Sequence, residues 1–210
     1  DIDTLVGTFQ KHPEWALDRV PSDWNDGWYP FGSSLFALFL EERYGNRDGK
    51  LLAEMWRHTP QNGHVTSVEP QNREVAYTDT QNKPTYFDAI GAVLATKGSS
   101  FDRAYAEFGV WRLLVGPDAD GHHYQDAARY PPPTIATAYG VNRLPIVDLR
   151  PGRPVGNYGT SYVLLDPAGL DPAKALRIKV QGDAPYHWAA QAICTHAGAA
   201  AKVIDIVDTG

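Results

Sequence analysis

The chain has 210 residues, a formal net charge of −6 and a hydrophobic content of 43%. The length and apolar content suffice for a packed core, the acidic total argues against nucleic-acid binding, and the membrane-crossing apolar run of about 18 residues is missing. Cys194 is the single cysteine, which excludes an internal disulfide framework and a cysteine-rich zinc site.

The chain opens directly on a helical apolar stripe. Its members are spaced by three and four residues, as on one face of a helix: Ile2, Leu5, Val6 and Phe9. There is little room for a helix start signal, and no charged and apolar leader stands before the stripe. We therefore expect Asp1 to be a cut or processed end.

Apolar periodicity and helix-ending glycines predict four more helices. In chain order they run from Pro30 to Gly45, from about Asp48 to His58, from Pro84 to Gly98, and from Ser99 to Gly116. We expect Phe31, Trp56 and most other aromatic residues in the core, and Glu41, Glu42 and Arg43 on a solvated face.

Between the second and third of these helices the sequence becomes polar. A loop of this length, from Thr59 to Lys83, is uncommon unless it is functional or mobile. The alternative is a weak strand pairing of Val65–Val68 with Val75–Tyr77.

After Pro131–Pro133, which we interpret as a stiff extended linker, the sequence period changes from helical to alternating. The predicted strands are Ser161–Leu165, Leu176–Val180, Tyr186–Cys194 and Lys202–Val207. Short strands with frequent turn residues favour a small β-sandwich. The predicted fold is α+β: a helical domain of four to five helices over 1–130, then a β-rich domain over 134–210. The last strand almost reaches Gly210, as a truncated domain would.

The residues alone contain no catalytic constellation. The seven histidines form no His-Glu-x-x-His pair, and neither a Gly-x-Ser-x-Gly elbow nor a phosphate-binding glycine motif occurs. Cys194 lies among alternating apolar residues and is expected in the core rather than as a nucleophile.

One loop carries candidate chemistry. Asp118 and Asp120 have the spacing of a calcium-loop start, although the bidentate Glu of an EF-hand is missing and an ordinary turn is the favoured alternative. His122 and His123, followed by Tyr124, could supply one ligand or one transition-state donor, with a plain surface loop as the alternative.

Several segments of the chain resemble segments of secreted bacterial metalloproteases related to the gluzincins, and they follow one another in the same order as in that family. They are Tyr29–Gly45, Leu52–Trp56, Phe87–Leu94 with Ser99–Trp111, Gly116–Tyr130, and Gly159–Val163 with Trp188. In that family the resembling part lies downstream of the zinc-binding helices. The resemblance therefore implies that the zinc ligands and general base precede Asp1, and that this chain contains no zinc ligand.

The resemblance implies the rear half of a secreted or cell-surface zinc-metallopeptidase-like protein, inactive alone, with zinc in the parent protein and no cofactor in this chain. Its partner would be the missing N-terminal catalytic part or another protein. Related proteases use a His or Tyr of this half to steady the oxyanion, and the candidates here are His123, His122 and Tyr124. The alternative is a non-catalytic extracellular binding or assembly module, and a self-contained enzyme has least support.

Overall fold

A computed structural model describes residues 2–23, 26–59, 84–140, 155–166, 171, 173, 177–182, 186–195 and 199–208. The helices in this part of the chain are α1 (Ile2–Lys11), α2 (Tyr29–Gly32), α3 (Ser34–Arg43), α4 (Lys50–Arg57), α5 (Tyr86–Thr96) and α6 (Phe101–Leu113). The strands are β1 (Thr137–Gly140), β2 (Val163–Asp166), β3 (Ala189–Cys194) and β4 (Lys202–Asp208). The α+β class is therefore confirmed.

Local sequence signals explain where the helices begin. Thr85 and Asp88 form a capping box, in which the Thr85 hydroxyl accepts the Asp88 N–H and the Asp88 carboxylate accepts the Thr85 N–H. The Ser100 hydroxyl accepts the Arg103 N–H at 3.2 Å and caps α6. The capped start predicted around Ser99 and Ser100 is thus confirmed, and Pro84 stands just outside its helix.

The helix predicted from Pro30 to Gly45 is two helices, α2 and α3, separated at Ser33. Gly32 lies where α2 crosses α1, and a Cβ at this position would be 2.3 Å from the carbonyl oxygen of Leu5. Only glycine permits this approach, so α2 packs against α1 before the chain turns into α3.

The core lies among α1, α3, α5 and α6 and is rich in aromatic residues. Phe36 and Phe108 meet edge to face with ring centroids 5.0 Å apart, and Phe39 and Trp111 do so at 5.2 Å. Other buried members are Val6, Phe9, Tyr29, Leu35, Leu94, Tyr105, Leu114 and Tyr124.

Several predicted burials are wrong. Phe31 is 58% exposed and Trp56 is 76% exposed, because each lies on the outward face of its short helix. Cys194 is exposed at the end of β3. Conversely, Glu41 is buried, and its carboxylate accepts the Leu52 N–H in the first turn of α4 at 3.0 Å.

The strands form two separate two-stranded sheets. β1 and β2 pair in parallel, whereas β3 and β4 pair antiparallel with an irregularity between Ala190 and Gln191. β1 was not predicted. The strand predicted over Leu176–Val180 is wrong for its described residues, 177–180, which are not in a strand, and the sandwich arrangement stays a prediction.

The segment after Pro131–Pro133 returns to the helices. Thr134 N–H donates to the Gln10 carbonyl at 2.9 Å, which ties the predicted linker to α1. Farther along, the Thr160 N–H donates to the Pro13 carbonyl at 2.7 Å, and the Tyr162 hydroxyl donates to the Gly109 carbonyl at 2.8 Å. Residues 155–162 therefore pack on the helical part, while the boundaries 1–130 and 134–210 stay predictions.

Most of the polar segment Thr59–Lys83, including the pairing of Val65–Val68 with Val75–Tyr77, lies outside the described residues. Within the described residues, none of the helices combines the length and apolar character that crossing a membrane requires.

Candidate functional site

The loop after α6 is built by turn residues and folds back on the helical core. Gly116 and Gly121 have φ values of +59° and +75°, which glycine adopts without strain. A short 3-10 turn over Gly116–Asp118 and a second over Ala127–Arg129 bound the loop. Its central residues, 119–126, contain most of the predicted site residues.

Asp120 organises this loop through both carboxylate oxygens. Oδ1 accepts the His122 N–H at 3.0 Å and faces Nδ1 of His123 at 2.8 Å, while Oδ2 accepts the Ala201 N–H at 3.1 Å. Burial alone would raise the pKa of Asp120, but these three hydrogen bonds and the nearby imidazole lower the pKa below its usual value. Asp120 is therefore an ionised acceptor.

His123 is held by two contacts. An ionised carboxylate only accepts hydrogen bonds, so the proton between the two residues lies on Nδ1 of His123. The imidazole ring also stands edge to face against Trp111, with centroids 5.2 Å apart and an interplanar angle of 83°. The other ring nitrogen, Nε2, has no hydrogen-bond partner among the described residues.

The adjacent candidates have different surroundings. His122 is exposed, and its backbone N–H donates to the Asp120 carboxylate. Tyr124 is buried in the core, where its hydroxyl donates to the Leu35 carbonyl at 3.2 Å. Burial raises the pKa of Tyr124 well above its usual value, so this phenol is neutral at physiological pH.

The far side of the loop is anchored to α3. Glu42 accepts the Gln125 N–H at 2.9 Å and an Arg47 Nη2 hydrogen at 3.0 Å. Arg47 Nη1 donates to Oε1 of Gln125 at 2.8 Å. The Glu42 side chain is almost fully buried, in contrast to the solvated face predicted for it. Together with Asp120 and Tyr124, this network fixes the position of His123 between α3, α6 and β4.

The two predicted calcium ligands have different surroundings in this structure. Asp118 is exposed, and the oxygens of Asp120 are engaged by three nitrogen atoms with which a cation would compete. Across the part of the chain that the structure describes, His, Cys, Asp and Glu side chains do not gather in threes as a metal ion requires. Calcium binding by Asp118 and Asp120 stays a prediction.

A second polar cluster was missed at the end of α1. His12 is buried, with Nε2 3.3 Å from Oδ1 of Asp26 and Nδ1 3.6 Å from Oε1 of Glu14. Its ring stacks on Trp15 at 3.7 Å. The sequence signal was the run from Lys11 to Trp15, in which charged and aromatic residues directly follow an apolar helix.

Comparison of the chain with protein-family models, with curated proteins and with solved structures found no match.

Proposed function

We propose that this chain is part of a secreted zinc-metallopeptidase-like protein. In this proposal His123 stabilises the transition state, because it donates a hydrogen bond to the oxyanion of the reacting peptide. The class of protein rests on the sequence resemblance. The role of His123 rests on one observation, the 2.8 Å contact between its Nδ1 and the Asp120 carboxylate. This contact orients the imidazole ring.

The chemistry that follows is electrostatic. With Nδ1–H directed at Asp120, Nε2 is the ring nitrogen left to contact a substrate, and it donates a hydrogen bond when the ring carries its second proton. A fixed donor of this kind stabilises negative charge that develops on a tetrahedral oxygen and does not have to reorganise during the reaction. Trp111 and Asp120 hold the ring, so His123 would be a transition-state donor and Asp120 its positioning residue.

Zinc in the parent protein would polarise the scissile carbonyl and activate water. The sequence resemblance places the ligands of this zinc in polypeptide that precedes Asp1. The chain alone is then expected not to hydrolyse peptides.

The test begins with the coding sequence upstream of the codon for Asp1, followed by an assay of the complete protein on a peptide library with and without a chelator. The proposal expects His-Glu-x-x-His with a downstream Glu and chelator-sensitive hydrolysis. An upstream region without those ligands, or hydrolysis that the chelator does not change, would contradict it.

A second candidate is a non-catalytic extracellular binding or assembly module, favoured by the apolar strand surfaces. Leu164 in β2 is 53% exposed and Ile204 in β4 is 44% exposed, and both belong to two-stranded sheets with free edges among the described residues. Exposed apolar strands are typical of surfaces that associate with another chain. Two results together would support this candidate over the first. The complete protein would have no peptidase activity, and Leu164→Lys would abolish its association with another protein.

A further inference from the structure

A cavity separate from the His123 loop lies where three helices meet. It has a volume of about 290 Å³ and is lined by Arg43, Tyr44, Lys97, Gly98, Ser99 and Arg103. Arg43 comes from the last turn of α3, Lys97 follows the end of α5, and Arg103 lies in the first turn of α6. Three cationic side chains from three elements therefore face one small cavity.

The positive charge of this cavity is only partly neutralised. Arg43 forms a short ion pair with Glu107, and the Tyr44 hydroxyl donates to the other oxygen of Glu107 at 2.8 Å. Among the described residues, no carboxylate lies within ion-pair distance of Lys97 or Arg103. Three cations against one carboxylate leave a local excess of positive charge on a chain whose net charge is −6.

Neutral donors accompany the cations. The hydroxyl oxygens of Tyr44 and Ser99 lie 3.2 Å apart, and Tyr44 uses its proton on Glu107. The Ser99 hydroxyl also lies 3.4 Å from the Ser100 carbonyl, a long contact from which its proton can turn to Tyr44 or to a ligand. Gly98 has a φ of +75° with open space on its Cβ side. A side chain therefore does not fill this part of the cavity wall.

We propose that this cavity binds the phosphate group of a small phosphate monoester. Arginine and lysine bind phosphate through charge-assisted hydrogen bonds, and the guanidinium of Arg103 can contact two phosphate oxygens at once. Lys97 and Arg103 supply charge that Glu107 does not offset, and Ser99 supplies a hydroxyl donor. The volume is larger than an inorganic phosphate ion needs, which leaves room for the alcohol portion of the ester.

Isothermal titration of the intact chain with inorganic phosphate and with glycerol 3-phosphate, at fixed ionic strength, tests the proposal. We expect saturable binding of both probes, with the ester at least as tight as inorganic phosphate. We expect the double variant Lys97→Gln, Arg103→Gln to raise the Kd of either probe at least tenfold.

The matched control is Arg129→Gln, Lys202→Gln, which removes the same charge from two exposed positions elsewhere and is expected to change the Kd less than twofold. Circular dichroism establishes that each variant is folded. Three results would overturn the proposal: no saturable binding to the unmodified chain, equal loss in the control, or acetate binding as tightly as phosphate.

Discussion

The guanidinium of Arg112 donates from Nε to the side-chain oxygen of Gln10 at 2.6 Å, which joins two residues 102 positions apart in the chain. Arg112 is fully buried and also donates to the carbonyls of Phe9 and Pro13. Gln10 in turn donates to the Arg112 and Pro131 carbonyls at 3.0 Å. The Arg112 and Gln10 side chains thus join α1 by hydrogen bonds to α6 and to the segment that follows the candidate loop.

Replacement of this arginine tests how strongly the network holds the fold. Arg112→Met keeps the length of the side chain but leaves the side-chain oxygen of Gln10 without its donor. It also removes one of the two donors to each of the Phe9 and Pro13 carbonyls. One unsatisfied buried acceptor costs about 1–3 kcal/mol, and the two other lost hydrogen bonds to the charged guanidinium add about 1 kcal/mol or more each, so we expect a loss of about 3–5 kcal/mol in the free energy of unfolding. Urea denaturation measures this loss. The control is Arg129→Met at an exposed position, which is expected to change stability by about 0.5 kcal/mol or less. If Arg112→Met lost as little stability as this control, the result would contradict a stabilising role for the Arg112 network.

Asp120 gives a prediction for the dependence of stability on pH. Asp120→Ala leaves the N–H groups of His122 and Ala201 without their acceptor, so we expect a loss of about 1–3 kcal/mol at neutral pH. The pKa of Asp120 is lowered in the folded chain, so its contribution is complete above its unfolded pKa of about 3.9 and disappears as pH falls through the folded value.

Urea titrations of the unmodified chain and of Asp120→Ala from pH 7 down to pH 3 measure this effect. The difference between the two should stay constant above about pH 4 and shrink below it. Asp126→Ala, in the same loop but exposed, serves as control. A difference that is independent of pH down to the acid end would show that the carboxylate charge is not involved.

Glu41 predicts an effect at the start of a different helix. Its carboxylate accepts the Leu52 N–H in the first turn of α4, where the N-cap position is Gly49, which has no side chain to cap the helix. Glu41→Ala should therefore cost about 1–2 kcal/mol, the size of a lost helix cap near a helix dipole. Differential scanning calorimetry measures the change in Tm. Glu54→Ala, within α4 itself, should leave Tm almost unchanged, and an equal effect of both substitutions would contradict the capping role.

The buried tyrosines predict sensitivity to alkali. Burial raises the pKa of Tyr105 to about 12, and burial also raises the pKa values of Tyr29, Tyr124 and Tyr162 above the usual range. A raised folded pKa gives stability that is complete below the unfolded value of about 10 and is lost as pH rises through the folded value. We expect these phenols to ionise together with cooperative unfolding above about pH 10.

Absorbance at a tyrosinate wavelength and circular dichroism, recorded on one alkaline titration, provide the measurement. The part of the tyrosinate signal that belongs to the buried side chains should change over the same pH interval as the helical signal; exposed tyrosines such as Tyr186 do not need unfolding to ionise. Ionisation of all tyrosines with the helical signal retained would contradict the burial of these side chains.

The helices were predictable because their signals are local. The apolar stripe of α1, the glycines after α3 and α5 and the serine before α6 each act within a few residues, and the structure agrees with them. The Asp120 and His123 pair was partly predictable, since both residues were candidates. The contact between the two residues was not predictable. The calcium-loop spacing paired Asp120 with Asp118, whereas the folded loop directs the Asp120 carboxylate toward His123.

The remaining differences come from tertiary contacts. Glu41 and Glu42 end a helix in the manner of solvated residues, and they are buried because α4 and the loop at Gln125 present N–H groups to them. Strand β1 has no alternating pattern of its own and forms by pairing with β2, which lies more than 20 residues later. Interactions of this kind depend on distant parts of the chain and leave no periodic signal in the sequence.

The central claim, that His123 is a transition-state donor held by Asp120, is tested most directly by peptide hydrolysis in the complete protein. We expect His123→Ala to lower kcat by about 100-fold or more, as for loss of an oxyanion donor, with KM changed less than twofold. His58→Ala, an exposed histidine after α4, should retain full activity. Unchanged turnover in His123→Ala, or a loss that occurs only in His122→Ala, would contradict the claim.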